Sequence, residues 1–190
     1  MSRSTFLSLQ RALVEARRAR MRNYIEQTPE LERYHEEYRK DVTGYDVPSY
    51  PEELMQRVLA SNVVYVGDFH TLPHSQKFFV RLLDRLQERA ELKGRKVVCA
   101  MEAVPSVRQA EMDGYLAGDI SFDEMLHRVR YPQTWGFPVQ GYREVLETCG
   151  RWNLPVLALN CFPRRREDRL HRRDIHAARI IARAVAEDPE

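Results

Sequence analysis

The alternation of short apolar runs with helical patterns predicts an α/β domain on a mostly parallel sheet, preceded by N-terminal helices. Three observations carry this. "NVVYV" (62–66), "KVVCAM" (96–101) and "PVLALN" (155–160) are continuous apolar runs, as strands buried on both faces require. Helical segments separate them, so successive strands pair in parallel through right-handed crossovers. The chain has 190 residues, 43% hydrophobic and 31% charged, which is the composition of a folded globular domain.

Taken in order, residues 3 to 40 are strongly charged. Phe6, Leu9 and Leu13, then Met21, Tyr24 and Ile25, recur at helical spacing. Pro29 starts a second predicted helix with Leu31, Tyr34 and Tyr38. These helices are free to pack on the domain or on a partner. "VTGYDVPSYP" (42–51) reads as a loop by its glycine and prolines and marks the boundary, giving a helical segment 1–45 and an α/β domain 46–190. "PEELMQRVLAS" is a short helix with Pro51 near its start. "FFVRLLDRLQERAEL" places Phe78, Phe79, Leu82, Leu83, Leu86 and Ala90 on one stripe, and Gly94 stops it. "PSVRQAEMDGYLAG" and "SFDEMLHRV" are two short helices broken at Gly118. "GYREVLETCGRWN" is another helix. "DIHAARIIARAVAE" closes the pattern, its stripe of Ile175, Ala178, Ile181, Ala182 and Val185 asking for a sheet face to cover.

The net charge of +2 selects no class of partner. No run of about 18 apolar residues exists, so no membrane span is expected. The N-terminus lacks the apolar core of a signal peptide, and no lipobox cysteine is seen, so the expected location is cytoplasmic. Cys99, Cys149 and Cys161 are odd in number and widely spaced, which suits reduced thiols better than a disulfide framework or a metal knuckle.

"VVYVGDFHTLPHSQ" (63–76) raises the functional question, because a buried run ends on Gly67 and then presents Asp68 and His70. In a parallel sheet the carboxyl ends of all strands lie along one edge, where ligands bind. The second run ends in Met101-Glu102 and the third in Leu159-Asn160-Cys161. Asp68, His70, Glu102 and Asn160 should therefore converge. Gly67 would permit a tight turn or a close backbone approach. Pro73 suits a first helical turn and pushes Leu72 out of helical geometry, so His70 belongs to the loop. Histidine and carboxylates at such an edge can bind a metal or act as general base and acid. A lone loop histidine more often caps or hydrogen-bonds, but an acid directly after a buried run is costly without solvent or a partner, which strengthens the pair. "HTLPH" is no zincin helix, since it lacks the glutamate and contains Pro73.

"YPQTWGFPVQGY" (131–142) can bring Tyr131, Trp135 and Phe137 to the sheet edge as the wall of an apolar pocket or as a packed cover. "FPRRREDRLHRRD" (162–174) holds six arginines, and a solvated helix start paired with Glu167 and Asp168 is favoured over an anion site. No nucleic-acid module accompanies it, so no nucleic-acid partner is expected. Neither GxGxxG, GxxxxGK nor a serine nucleophile elbow occurs.

"VVYVGDFHTLPHSQKFF", "CAMEAVP", "YPQTWGFPVQGYREVLETCGRWNLPVLALNC" and "RRDIHAARII" occur in this order. Together they resemble the ChaN-like haem-binding uptake family of the Tiki/TraB/erythromycin-esterase superfamily, over roughly residues 51 to 188. The resemblance implies a three-layer α/β/α domain with a small helical insert at 105–130. Gly67 and His70 map onto its Gly-x-x-His motif, Glu102 onto the acid after the second strand, and Arg173 and Asp174 onto the Arg-Asp helix start. It implies a site for haem or a divalent transition metal at the sheet edge, in iron or haem handling. Gly67, His70, Glu102, Asn160 and Trp135 would be the cofactor-binding residues, with His70 and Glu102 the metal ligands. The alternative it implies is a metal-dependent hydrolase in which His70 and Glu102 hold the metal or activate water and Asp174 supports them. A non-catalytic interaction module is the third reading. The expected partners are haem or another small molecule, with a homodimer left open. The family pattern carries a second Gly-x-x-His on a late strand, which is not found up to Glu190, so the domain is expected to be truncated at its C-terminal end.

Overall fold

The structure, a computed structural model, describes residues 3–21, 33, 36, 49–89, 94–162 and 169–187. Tyr24 and Ile25, the predicted helix of Leu31, Tyr34 and Tyr38, most of the 42–51 loop, and the arginine run from Arg164 to Arg166 with its expected partners Glu167 and Asp168 lie outside the described residues. The chain divides into two compact units, Met1–Gln56 and Arg57–Glu190. The first contains helix α1 (Arg3–Met21), on the charged amphipathic stretch. The division falls inside α2 (Pro51–Leu59), where Pro51 opens the helix, Glu52 and Glu53 occupy its first turn and Arg57 its last. This is the arrangement the helix dipole favours.

The second unit is an α/β domain. It continues with α3 (Pro73–Gln87), β1 (Cys99–Pro105), a 3₁₀ turn (Ser106–Arg108), α4 (Gln109–Ala117), α5 (Phe122–Arg128), α6 (Tyr131–Thr134), α7 (Gln140–Arg151), β2 (Val156–Asn160) and α8 (Arg169–Glu187). Among the described residues β1 and β2 form one two-stranded sheet, paired in parallel as the crossover pattern requires. Cys99, Ala100 and Met101 stand opposite Val156, Leu157 and Ala158. The register then jumps, Pro105 facing Asn160, so β1 carries extra residues between Met101 and Pro105. Both strands are deeply buried, as apolar runs of a parallel sheet should be.

The helices follow local chemistry. Leu72 is extended (φ −112°, ψ 105°) and Pro73 begins α3. Gly118 ends α4 in the left-handed conformation at φ 82°. The Ser121 side chain accepts the Glu124 N–H and caps α5. The core joins Leu83 of α3, Met112 of α4, Met125 of α5, and Tyr142, Leu146 and Cys149 of α7 to the inner faces of both strands. Cys99 and Cys149 are buried there as small apolar side chains.

Three expectations need correction. Residues 62–66 form no ladder, and Val63, Val64 and Tyr65 are exposed, Tyr65 by 81%. Apolar content alone does not make a strand, because a strand also needs a partner with free N–H and C=O groups in register. The second strand starts at Cys99 and runs to Pro105, so Glu102 lies inside it rather than after it. On α3, Leu82, Leu83 and Leu86 are buried but Phe78 is 43% exposed. The apolar stripe of α8 does lie against β2, with Ala178 and Ile181 lining a cavity together with strand residues, while Ile175 and Val185 at its margins stay exposed.

Candidate functional site

The segment between α2 and α3 brings Asp68 and His70 against α3, α7 and the turn after α6. Asp68 is the hub. Its Oδ2 accepts His70 Nδ1–H at 2.8 Å and the Tyr142 hydroxyl at 2.6 Å. Its Oδ1 accepts Gln76 Nε2–H. An ionised carboxylate only accepts, so three donors aimed at it make a consistent network. Tyr142 OH also lies 3.1 Å from His70 Nδ1. With Nδ1 turned to Asp68, the other ring nitrogen of His70, Nε2, faces away from the carboxylate. Gln76 is buried on α3 and Tyr142 is buried on α7, so the network rests on two packed helices.

Aromatic rings flank the imidazole. The His70 ring centroid lies 4.5 Å from that of Trp135 and 4.6 Å from that of Phe137. Gly136 between them has φ 75°, which lets the chain turn so that both rings reach the same histidine. Its N–H closes the turn on the Tyr131 carbonyl at 3.0 Å. Burial, with the hydrogen bond to Asp68, raises the Tyr142 hydroxyl pKa well above its ordinary value. Burial and the nearby Asp68 charge do the same at Tyr131. Both phenols therefore stay neutral at physiological pH.

His70 opens on a cavity of about 1170 Å³. Gly67, Asp68, Glu102, Trp135, Tyr142 and Asp174 also line it, as do apolar residues of α3, β1 and α8. Five of the residues expected at the site, His70, Glu102, Asp174, Gly67 and Trp135, thus line the same cavity. Asn160 is not among the lining residues. It is buried at the end of β2 with an unpartnered Oδ1. Glu102 sits where the register of β1 slips, a place where a bulge re-aims a side chain. It pairs with Arg173 of α8 at 3.5 Å. Gly67 has no positive φ and open space where a Cβ would stand, so neither turn geometry nor close approach accounts for it.

Sequence reasoning placed Asp68 beside His70 but missed Tyr142 and Gln76. The nearest available signal was Tyr142 at the end of the aromatic segment, although nothing in the sequence pointed it at Asp68.

The donor set, one histidine backed by a carboxylate, fits haem as a ligand. Among the described residues no group of three or more His, Cys, Asp or Glu stands together to hold a metal ion. A single histidine is a sufficient protein ligand for haem iron, and His70 could be that ligand. The cavity exceeds the usual 300–1,000 Å³ or so of ligand pockets.

Fold and site together define an α/β domain with a carboxylate-anchored histidine in an aromatic wall above a largely apolar cavity. The chain belongs to the family of haem-binding uptake proteins of the Tiki superfamily, ChaN, whose family model matches residues 54–186. No curated protein and no solved structure matches. No helix among the described residues is long and apolar enough to cross a membrane.

Proposed function

We propose that the His70 cavity takes up haem, with His70 Nε2 as the iron ligand. The observation that carries this is the Asp68–His70 hydrogen bond of 2.8 Å, which directs the other ring nitrogen away from the carboxylate. A metal-ligating histidine commonly donates its second N–H to a carboxylate, which fixes its tautomer and raises its basicity. Family membership supports haem as the ligand class. Bound haem would supply an iron centre for His70 to hold. The chain's residues do the rest. Asp68 holds the proton on Nδ1. Tyr142 and Gln76 hold Asp68. Trp135 and Phe137 limit ring rotation and exclude water from one side of the imidazole. Glu102, paired with Arg173, contributes charge at the wall and no ligand to the iron.

The test is titration of haem into the folded protein, followed by the Soret band, for wild type, His70→Ala and Glu102→Ala. His70→Ala is expected to weaken binding more than tenfold and to shift the Soret maximum, while Glu102→Ala leaves the maximum in place. Binding and a Soret maximum unchanged in His70→Ala would move the iron ligand elsewhere. Calorimetry with zinc or another divalent ion should show no tight site.

A further inference from the structure

The outer edge of β2 carries a second feature, remote from the His70 network. Leu157 is in register with Ala100, so its backbone groups serve the β1 ladder. The groups of Val156 and Ala158 point the other way, to the side of β2 that carries no strand among the described residues. There the side chain of Gln109, first residue of α4, meets them. Gln109 Nε2 donates to the Val156 carbonyl at 2.7 Å. The Ala158 N–H donates to Gln109 Oε1 at 2.8 Å. The second proton on Nε2 goes to Asp113 Oδ1, also at 2.8 Å, one turn along α4.

This is the bonding pattern of one residue of a neighbouring parallel strand, which donates to one residue and accepts from the residue two further on. A side-chain amide has the same donor and acceptor as a peptide group, so it can stand in for one. It stands in a groove of about 770 Å³ that runs beside Val156 to Ala158 under α8. Ser106 Oγ and His176 Nε2, 2.7 Å apart, join the 3₁₀ turn to α8 across that groove. An unpaired strand edge is a template for pairing with another chain, and natural proteins block such edges.

We infer that Gln109 is a built-in guard of the β2 edge: its amide occupies the hydrogen-bonding positions that a strand of a second copy would use, and so prevents edge-to-edge pairing. The inference does not depend on the ligand of the His70 cavity.

The experiment uses the full chain as wild type, Gln109→Ala and Gln109→Met, with circular dichroism to establish folding. Methionine fills the volume of glutamine without its amide, so it separates hydrogen bonding from packing. Hydrogen exchange at the Ala158 amide and sedimentation velocity over a concentration series are the readouts. Both variants are expected to exchange Ala158 at least tenfold faster at low concentration. Both are expected to exceed the mass of wild type as concentration rises. Folded variants with wild-type mass throughout would overturn the guarding role, whatever happens to exchange, and leave Gln109 an internal hydrogen-bond partner. Failure of both variants to fold would overturn it as well, because the amide would then hold the strand rather than guard it.

Discussion

Asp68 accepts hydrogen bonds from His70, Tyr142 and Gln76, residues two, 74 and eight positions away. Removing it would free the imidazole to rotate and change tautomer. Asp68→Ala should weaken haem binding by about 10–100-fold, the usual effect of losing the carboxylate behind a ligating histidine. Soret titration against wild type checks this, and equal affinities would show that the aromatic rings alone orient His70. Gly136 makes a different demand. At φ 75° a side chain is strained, and a Cβ there would lie 3.1 Å from the Pro132 carbonyl oxygen. Gly136→Ala should cost about 1–2 kcal/mol in urea unfolding. It should also loosen the Trp135–Phe137 wall.

The element that most constrains the site is the α3–α7 pair. At Gly141 of α7 a Cβ would come within 2.9 Å of the Gln76 side chain on α3. The helices can approach this closely because position 141 has no side chain, and Gln76 is thereby held against Asp68. Gly141→Leu should destabilise the domain by about 1–3 kcal/mol through overpacking. It should also weaken ligand binding, because Gln76 cannot move without releasing Asp68. Urea midpoints and haem titration on the same samples test both halves, and a stable variant with normal affinity would show that α7 shifts freely. The helices were legible for local reasons, since Pro73, Gly118 and Ser121 act within a few residues of themselves. Strand limits were less so. The slip between Met101 and Pro105 depends on how β1 meets β2, and nothing in "VVCAMEAVP" encodes it. The segment 62–66 has strand composition but no ladder, because pairing is a property of two segments and not of one.

For the whole molecule, two buried phenols set a pH limit. Tyr131 and Tyr142 have pKa values raised in the folded state, mainly by burial, whereas the unfolded chain ionises them near the ordinary value of about 10. Folding therefore holds protons that the unfolded chain releases. Their contribution is present in full below about pH 10 and is lost as pH rises through the interval up to the folded values. The urea midpoint should fall steeply above about pH 10, and less steeply in Tyr142→Phe. A midpoint unchanged through that range would mean both hydroxyls are open to solvent. By itself the sequence determined the α/β class, the helix limits set by Pro73, Gly118 and Ser121, the family, and His70 as a residue to watch, but not the end of α3 at Gln87 or the start of α8 at Arg169, ahead of Arg173 and Asp174. Those signals are local: periodicity, proline and glycine chemistry, and motifs in a fixed order. Only the tertiary structure decided that Tyr142 and Gln76 hold Asp68, that Trp135 and Phe137 flank the imidazole, and that Glu102 turns to Arg173 while Asn160 stays off the cavity wall. Those relations join side chains up to 74 positions apart, and their geometry is fixed by helix packing and strand register, which no single stretch of chain contains.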